Sequence, residues 1–448
     1  MAAHEEFSLP GRDDLLDKAR ALGVEIPYTD DVSALLTPVQ VAGRTLPNRM
    51  VVLPMEAADA ETDGAPTPIT ARRYERLAAG GASIVWFEAT AVTPEGRSNP
   101  HQLMLRAETR AAFKRLVGRV RKAARAAGRD PLLILQLTHS GRFAKPEGLP
   151  QPVLAHRNPF LDGLLSLPGN YPLINDETLQ ALQDRYLAAA RLAHEVGFDG
   201  VDVKACHGYL VSELLASFTR RDSAYGGSLT NRSRFLLETL ARIGDDAPGL
   251  VLTSRLSVFD SIPSPFGFGV DADDPAREDL TEPVMLIRKL IASKIALLSF
   301  SAGIPAYKPW YGRPFDKPAP GGVTPDEHPL EGVARLLRIS GLLQCEFPDL
   351  PVVGTGMSWL RQHFPHVAAA AVASRMMSLA GQGRGSLARP DWPGALARDG
   401  GLAPDRACTT CSLCSKHLRE GKPVRCLVHD NRLPGPAPRP GGRRSGKA

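Results

Sequence analysis

GVDVKACHGY, residues 200–209, begins as a strand and ends in reactive chemistry. A period of two places Val201, Val203 and Ala205 on one face and Asp202, Lys204 and Cys206 on the other. The apolar face suits packing against helices, which turns the polar face toward the interior of a sheet or barrel. An inward lysine followed at once by His207 and Tyr209 is costly unless it pairs or binds something. Pairing of Lys204 with Asp202 or Glu88 as internal structure is one reading, and a ligand site at the end of the strand is the other. Cys206 reads as a small inward packing residue.

Seven further segments share the character of this strand: 49–54, 83–90, 132–137, 250–257, 295–301, 350–356 and 378–383. Amphipathic helices separate them. In 108–128, Phe113, Leu116, Val117, Val120 and Ala124 fall on one face before Gly128; in 176–197, Leu179, Leu182, Tyr186 and Ala190 do the same. Strands alternating with helices of that length imply βαβ units and a parallel sheet. Eight of them fit an α/β fold closed as a (β/α)8 TIM barrel, which carries its chemistry at the C-terminal ends of the strands. KACHGY lies at such an end. The long Pro- and Gly-rich loops 145–172, 258–277 and 302–328 belong to the same face and are expected to be functional or mobile.

The 448 residues are 43% hydrophobic and 23% charged, with 41 Gly and 39 Pro, enough to bury a large core. The formal net charge is +6, yet Arg439, Arg443, Arg444 and Lys447 of the tail account for much of it. No basic stripe with interleaved aromatics remains to suggest nucleic-acid binding. No apolar window approaches a membrane span and the N-terminus does not resemble a signal peptide, so the expectation is a soluble, cytoplasmic protein, with a homo-oligomer open. The expected organisation is an N-terminal extension over 1–35, a barrel over 36–400, a cysteine-rich segment over 401–432 and a disordered basic tail over 433–448.

The stretch FDGVDVKACHGYLVSELLASFTRRDSAYGGSLTNRSRFLLETL resembles the signature of the old yellow enzyme family of FMN-dependent oxidoreductases. LPNRMVVLPME (46–56), GGASIVWFEATAVTPEGR (80–97), LLILQLTHSGR (132–142), TSRLS (253–257), VVGTGM (352–357) and GQGRGSLARPDWP (381–393) are similar to its other blocks, in its order. The resemblance spans residues 36 to 432. It implies that FMN is lined by the Pro54-Met55 turn and Ala89, read at its pyrimidine by Gln136, and met at its N1/O2 edge by Arg255. Gly354, Gly356, Gly383 and Arg384 are implied to hold its phosphate. It further implies that Lys204 and His207 donate to a substrate carbonyl while Tyr209 supplies a proton, with hydride moving between flavin N5 and the activated C=C bond. Two departures stand out: Lys204 occupies a position that is usually histidine, and Glu56 stands where a small or neutral residue is common. Glu56 could pair with Lys204 or act as a base, and the two together point to a larger or charged substrate. Ala58 replaces a tyrosine that closes the pocket in related enzymes.

The second constellation is Cys408, Cys411, Cys414 and Cys426, spaced C-x2-C-x2-C-x11-C and holding four of the chain's six cysteines. Clustering of this kind in a chain without secretory features means metal rather than disulfides. Spacing alone leaves structural zinc and an iron–sulfur cluster both open, with His417 and His429 as spare ligands for zinc. The resemblance implies a [4Fe–4S] cluster, because the branch containing 2,4-dienoyl-CoA reductase and trimethylamine dehydrogenase carries one just after the barrel. That branch usually has one residue more between its second and third cysteines. The expected activity is ene-reduction or the reverse desaturation, on a small-molecule substrate, with NAD(P)H or an external electron-transfer protein as redox partner. Oxidation of an amine or C–N bond is the alternative enzyme reading. A non-catalytic, zinc-stabilised barrel that serves as a binding module is the alternative from another class.

Overall fold

The computed structural model describes residues 4–430. Eight parallel strands close into a barrel in sequence order: β1 (Met50–Val52), β2 (Ile84–Ala91), β3 (Leu132–Thr138), β4 (Gly200–Val203), β5 (Val251–Phe259), β6 (Leu297–Ala302), β7 (Val352–Gly354) and β8 (Leu379–Gln382). Closure is made by β8 on β1, with Ala380 opposite Met50 and Gln382 opposite Val52. The expected (β/α)8 barrel is therefore the observed fold, with a short hairpin of Val39–Val41 and Arg44–Leu46 ahead of it.

Both faces of the strands are covered, as parallel sheets require. Val51, Ile84, Trp86, Leu132, Ile134, Leu297, Val353 and Leu379 fill the barrel interior. Val201, Val203 and Ala205 instead join Tyr186, Ala190 and Phe235 in the layer between strands and helices. The period-two reading of residues 200–206 thus holds. In the helix Arg110–Ala126 the buried set is the expected one, Phe113, Leu116, Val117, Val120 and Ala124.

Several strands are shorter than their apolar runs. Leu53 still donates to the Gln382 carbonyl, but Pro54 has no N–H to continue the ladder. The chain turns there and carries Met55 and Glu56 over the barrel mouth. The N-terminal segment forms a helix, Arg12–Leu22, whose Leu15 and Ala19 are buried with Trp359, Leu360 and Phe364 against the barrel's last units. Among the described residues no helix is long and apolar enough to cross a membrane. The expected tail at 433–448 lies outside the described residues.

Candidate functional site

A cavity of about 330 Å³ opens at the C-terminal ends of the strands. Its walls include Pro54, Met55, Glu56, Gln136, Lys204, His207, Tyr209, Arg255, Gly356, Gly383 and Arg384, so residues spread over 330 positions of sequence converge on one space. Ala89 and Gly354 do not line it. The Ala89 carbonyl is taken by the Gln102 amide at 2.8 Å, and the bare Cα of Gly354 faces Met377, whose sulfur would lie 2.4 Å from an added Cβ. Ala58 is buried and is not part of the lining either.

Glu56 is the hub of the polar wall. Its Oε1 accepts from Lys204 Nζ at 3.0 Å and from the Tyr209 hydroxyl at 2.8 Å, and its Oε2 accepts from Ser98 Oγ at 2.8 Å. Lys204 Nζ also sits 3.7 Å from the centre of the Tyr209 ring, a cation–π contact. Pairing of Lys204 with Asp202 or Glu88 is thereby overturned. Glu88 is occupied by Arg73, Tyr74 and the Ala57 amide, and Asp202 by three other donors.

Those three donors define a second, deeper layer. Asp202 Oδ2 accepts from Gln136 Nε2 at 2.5 Å and from Trp86 Nε1 at 3.0 Å, while Oδ1 accepts from the Arg255 amide at 2.8 Å. Burial pushes the Asp202 carboxyl up to about 6, and the donors from Gln136, Arg255 and Trp86 pull the other way. Asp202 therefore fixes which way the Gln136 amide faces the cavity and anchors the strand that carries Arg255. Gln136 and Asp202 stand directly opposite in the β3–β4 register.

His207 and Gly208 both adopt left-handed backbone angles, each with φ of 69°. For histidine this is a strained conformation, and it reverses the chain so that the ring points into the cavity, where Nε2 lies 3.1 Å from Ser301 Oγ. Burial drives the His207 pKa well below its ordinary value, and the positive charges of Lys204, Arg255 and Arg313 add to the effect. The ring is neutral at physiological pH. The His207 ring resonances of selectively labelled protein are accordingly expected to show no titration in the ordinary histidine range; a titration centred between 6 and 7 contradicts this.

Another corner of the cavity is lined by Gly356, Gly383 and Arg384. An added Cβ on Gly383 would come within 2.9 Å of the Met55 sulfur, so a larger residue there would have to displace the Met55 side chain at the cavity edge. Arg384 is buried. Its Nη2 donates to the Pro314 carbonyl at 2.7 Å and its Nη1 has no partner. Arg255 likewise has a buried Nε without a partner. Two guanidiniums with open donors, facing a cavity bordered by glycines, fit a planar anionic ligand ending in phosphate.

Cys408, Cys411, Cys414 and Cys426 are free and partly buried. Burial raises the Cys408 thiol to about 11, against the opposing pull of Arg384; Cys426 is also raised, while the His429 and Val428 amides oppose the shift. The neighbouring cysteines, Cys414 and Cys426 for Cys408 and Cys411 and Cys414 for Cys426, add to the rise in each case. Among the described residues no three His, Cys, Asp or Glu side chains stand as a ready-made shell for a metal ion. His417 and His429, the spare ligands of the zinc reading, are bonded to the carbonyls of Pro423 and Ala407 at 3.0 and 2.9 Å. The segment folds back onto the barrel mouth. The Val424 amide donates to the Ala57 carbonyl at 2.7 Å, and Ser415, Leu418 and Arg419 of the helix Leu413–Arg419 line the cavity.

Sequence reasoning did not single out Ser98, Ser301, Arg313 or Arg419. Ser98 and Ser301 lacked any signal beyond position, since hydroxyls are common in βα loops. Arg313 lies in the loop 302–328, whose length was the one available sign.

Comparison with known proteins places these features in context. The family model described as NADH:flavin oxidoreductase / NADH oxidase family matches residues 34–277. An NADPH dehydrogenase of Halalkalibacterium halodurans is 34% identical over 205 residues, which cover 45% of this chain and 57% of that protein. The chain thus matches little more than half the length of that curated relative. The barrel is similar to that of a 2-naphthoyl-CoA reductase complex, with a TM-score of 0.70 and 22% identity over 89% of this chain and 57% of the other. It is also similar to an old yellow enzyme homologue of Zymomonas mobilis, with a TM-score of 0.62 and 24% identity over 83% of this chain and 94% of the other.

Proposed function

We propose, from the premise that the chain belongs to the NADH:flavin oxidoreductase / NADH oxidase family, that its cavity binds FMN and carries out redox chemistry on an activated carbon–carbon double bond. The observation that carries the reading is the convergence of Lys204, His207, Tyr209 and Glu56 on a cavity that also contains Gln136, Arg255, Gly383 and Arg384. Gln136 and Arg255 suit the flavin ring, and Gly356, Gly383 and Arg384 its phosphate. When bound, FMN supplies hydride exchange with the β carbon of a substrate.

The chain's own residues supply the rest. A conjugated carbonyl becomes electrophilic at its β carbon only when its oxygen is polarised. Lys204, and neutral His207 through a ring N–H, are the two donors that bind and orient that oxygen. Tyr209 holds a proton for the α carbon, and the Glu56 carboxylate receives the same hydroxyl proton when the transfer runs in reverse. Ser98, partly accessible at the rim, connects Glu56 to solvent. Leu53, Phe143, Pro305 and Pro309 provide apolar wall that limits water around the reacting carbons.

Following the barrel, residues 401–430 form a segment whose Cys408, Cys411, Cys414 and Cys426 would hold a [4Fe–4S] cluster, which would supply one-electron exchange with an external protein. Support comes from the clustering of the four cysteines just after the barrel, while His417 and His429 each meet a backbone carbonyl through one ring nitrogen and keep the other for a metal. Zinc is the competing occupant. NAD(P)H is the second candidate electron source, and cluster ligation by thiolates suits a cytoplasmic setting.

Anaerobic titration with NADPH, followed by a panel of α,β-unsaturated carbonyl compounds, tests the reading. The flavin band is expected to bleach and then return with turnover of at least one acceptor. In Lys204→Ala, FMN content is expected to hold while kcat/KM falls by about 10²-fold or more. An unchanged kcat/KM in that variant removes Lys204 from the reaction.

A further inference from the structure

Resting on the FMN reading above, we infer that the cysteine segment is part of the flavin's phosphate site, so that filling the four cysteines with metal and gripping the phosphate are coupled. Elsewhere the chain neutralises its buried guanidiniums with carboxylates. Arg142 pairs with Asp162 and Glu213, Arg73 with Asp59 and Glu88, and Arg232 with Glu282. At the cavity this pattern breaks, for Arg255 as well as for the arginines beside Gly356 and Gly383.

Buried Arg384, partly buried Arg313 and exposed Arg419 all line the cavity, and among the described residues none of the three has a carboxylate partner. Arg313 donates to Ser415 Oγ at 2.5 Å, and Arg384 only to the Pro314 carbonyl. Uncompensated guanidiniums held close together repel one another and are costly to desolvate. A dianion bordered by Gly356 and Gly383 removes that cost, and Arg meets phosphate oxygens in a bidentate manner. Two members of this arrangement come from the cysteine segment. Ser415, which holds Arg313 in place, follows Cys414 directly, and Arg419 lies on the same helix before Cys426. Metal that gathers the four thiolates fixes that helix; its loss frees Ser415 and Arg419 together.

Riboflavin, which lacks the phosphate, separates this corner from the ring site. Kd for FMN and for riboflavin is measured by fluorescence quenching on metal-loaded protein, on chelator-stripped protein and on Arg419→Ala, with metal and sulfide quantified on each sample. Stripping is expected to raise the FMN Kd about tenfold or more while the riboflavin Kd moves little. Arg419→Ala is expected to reproduce that selective loss with its metal content intact, and Lys422→Ala, which removes a solvent-exposed positive charge from the same segment, is expected to change neither Kd. FMN affinity that survives stripping or Arg419→Ala overturns the coupling, as does a parallel loss of riboflavin. Absence of FMN binding by the loaded protein overturns the underlying reading instead, and the coupling with it.

Discussion

Tyr209→Phe is expected to lower kcat by roughly 10²- to 10⁴-fold while fold, FMN content and KM stay close to those of the parent. The ring is retained in the variant, and with it the packing beside Phe143 and the contact beneath Lys204 Nζ. Only the hydroxyl that donates to Glu56 is lost. Burial and the neighbouring Glu56 carboxylate drive the Tyr209 pKa well above its ordinary value, so the proton is present across the working pH range. Such a group is a weak acid by itself. Glu56 on one side and the Lys204 ammonium on the other are what let the oxygen give up and regain its proton. Rapid mixing under anaerobic conditions separates the steps: hydride transfer should remain visible while proton delivery slows. Normal steady-state turnover in Tyr209→Phe removes the residue from the proton path.

Asp202→Ala should cost about 3–5 kcal/mol of stability and should also release FMN. The substitution strips the acceptor from three buried donors at once, Gln136 Nε2, Trp86 Nε1 and the Arg255 amide. Each buried donor left unpaired costs about 1–3 kcal/mol. The sign of the pH dependence follows from the carboxyl being raised to about 6 from an ordinary 3.8. Between those values the native state keeps a proton that the unfolded chain has lost, so native stability falls as pH rises through the window. Wild type carries this linkage and the variant does not. The gap between them, read by urea unfolding at pH 4 and pH 7, is therefore expected to narrow toward neutral pH. A gap that widens contradicts the placement of Asp202.

The barrel was legible because each strand is a short apolar run and each helix shows a 3.6-residue stripe, and these are the two signals that closure of the barrel depends on. All eight runs became strands, though Pro54 ended the first one early. The division of residues 201–206 into an outward apolar face and an inward polar face was likewise legible from alternation. Which inward groups pair was not, because that depends on register between strands far apart in sequence. Asp202 meets Gln136 across β3 and β4, and Lys204 reaches Glu56 from a turn 148 residues earlier. Ala89 and Gly354 do not line the cavity for a similar reason. A motif gives a residue's place on a strand, but Gln102 and Met377 arrive from other parts of the chain to occupy the space beside them. Arg313 and Arg419 carry no periodic signal at all, and only the return of the cysteine segment across the barrel mouth brings them together.

The most direct test of the account is the visible spectrum of anaerobically purified protein, with released flavin, iron, acid-labile sulfide and zinc quantified on the same sample. The expected result is FMN bound to the chain together with about four irons and four sulfides. A colourless protein that neither retains nor rebinds FMN contradicts the central claim, and zinc without sulfide assigns the four cysteines to a structural clasp rather than to electron transfer.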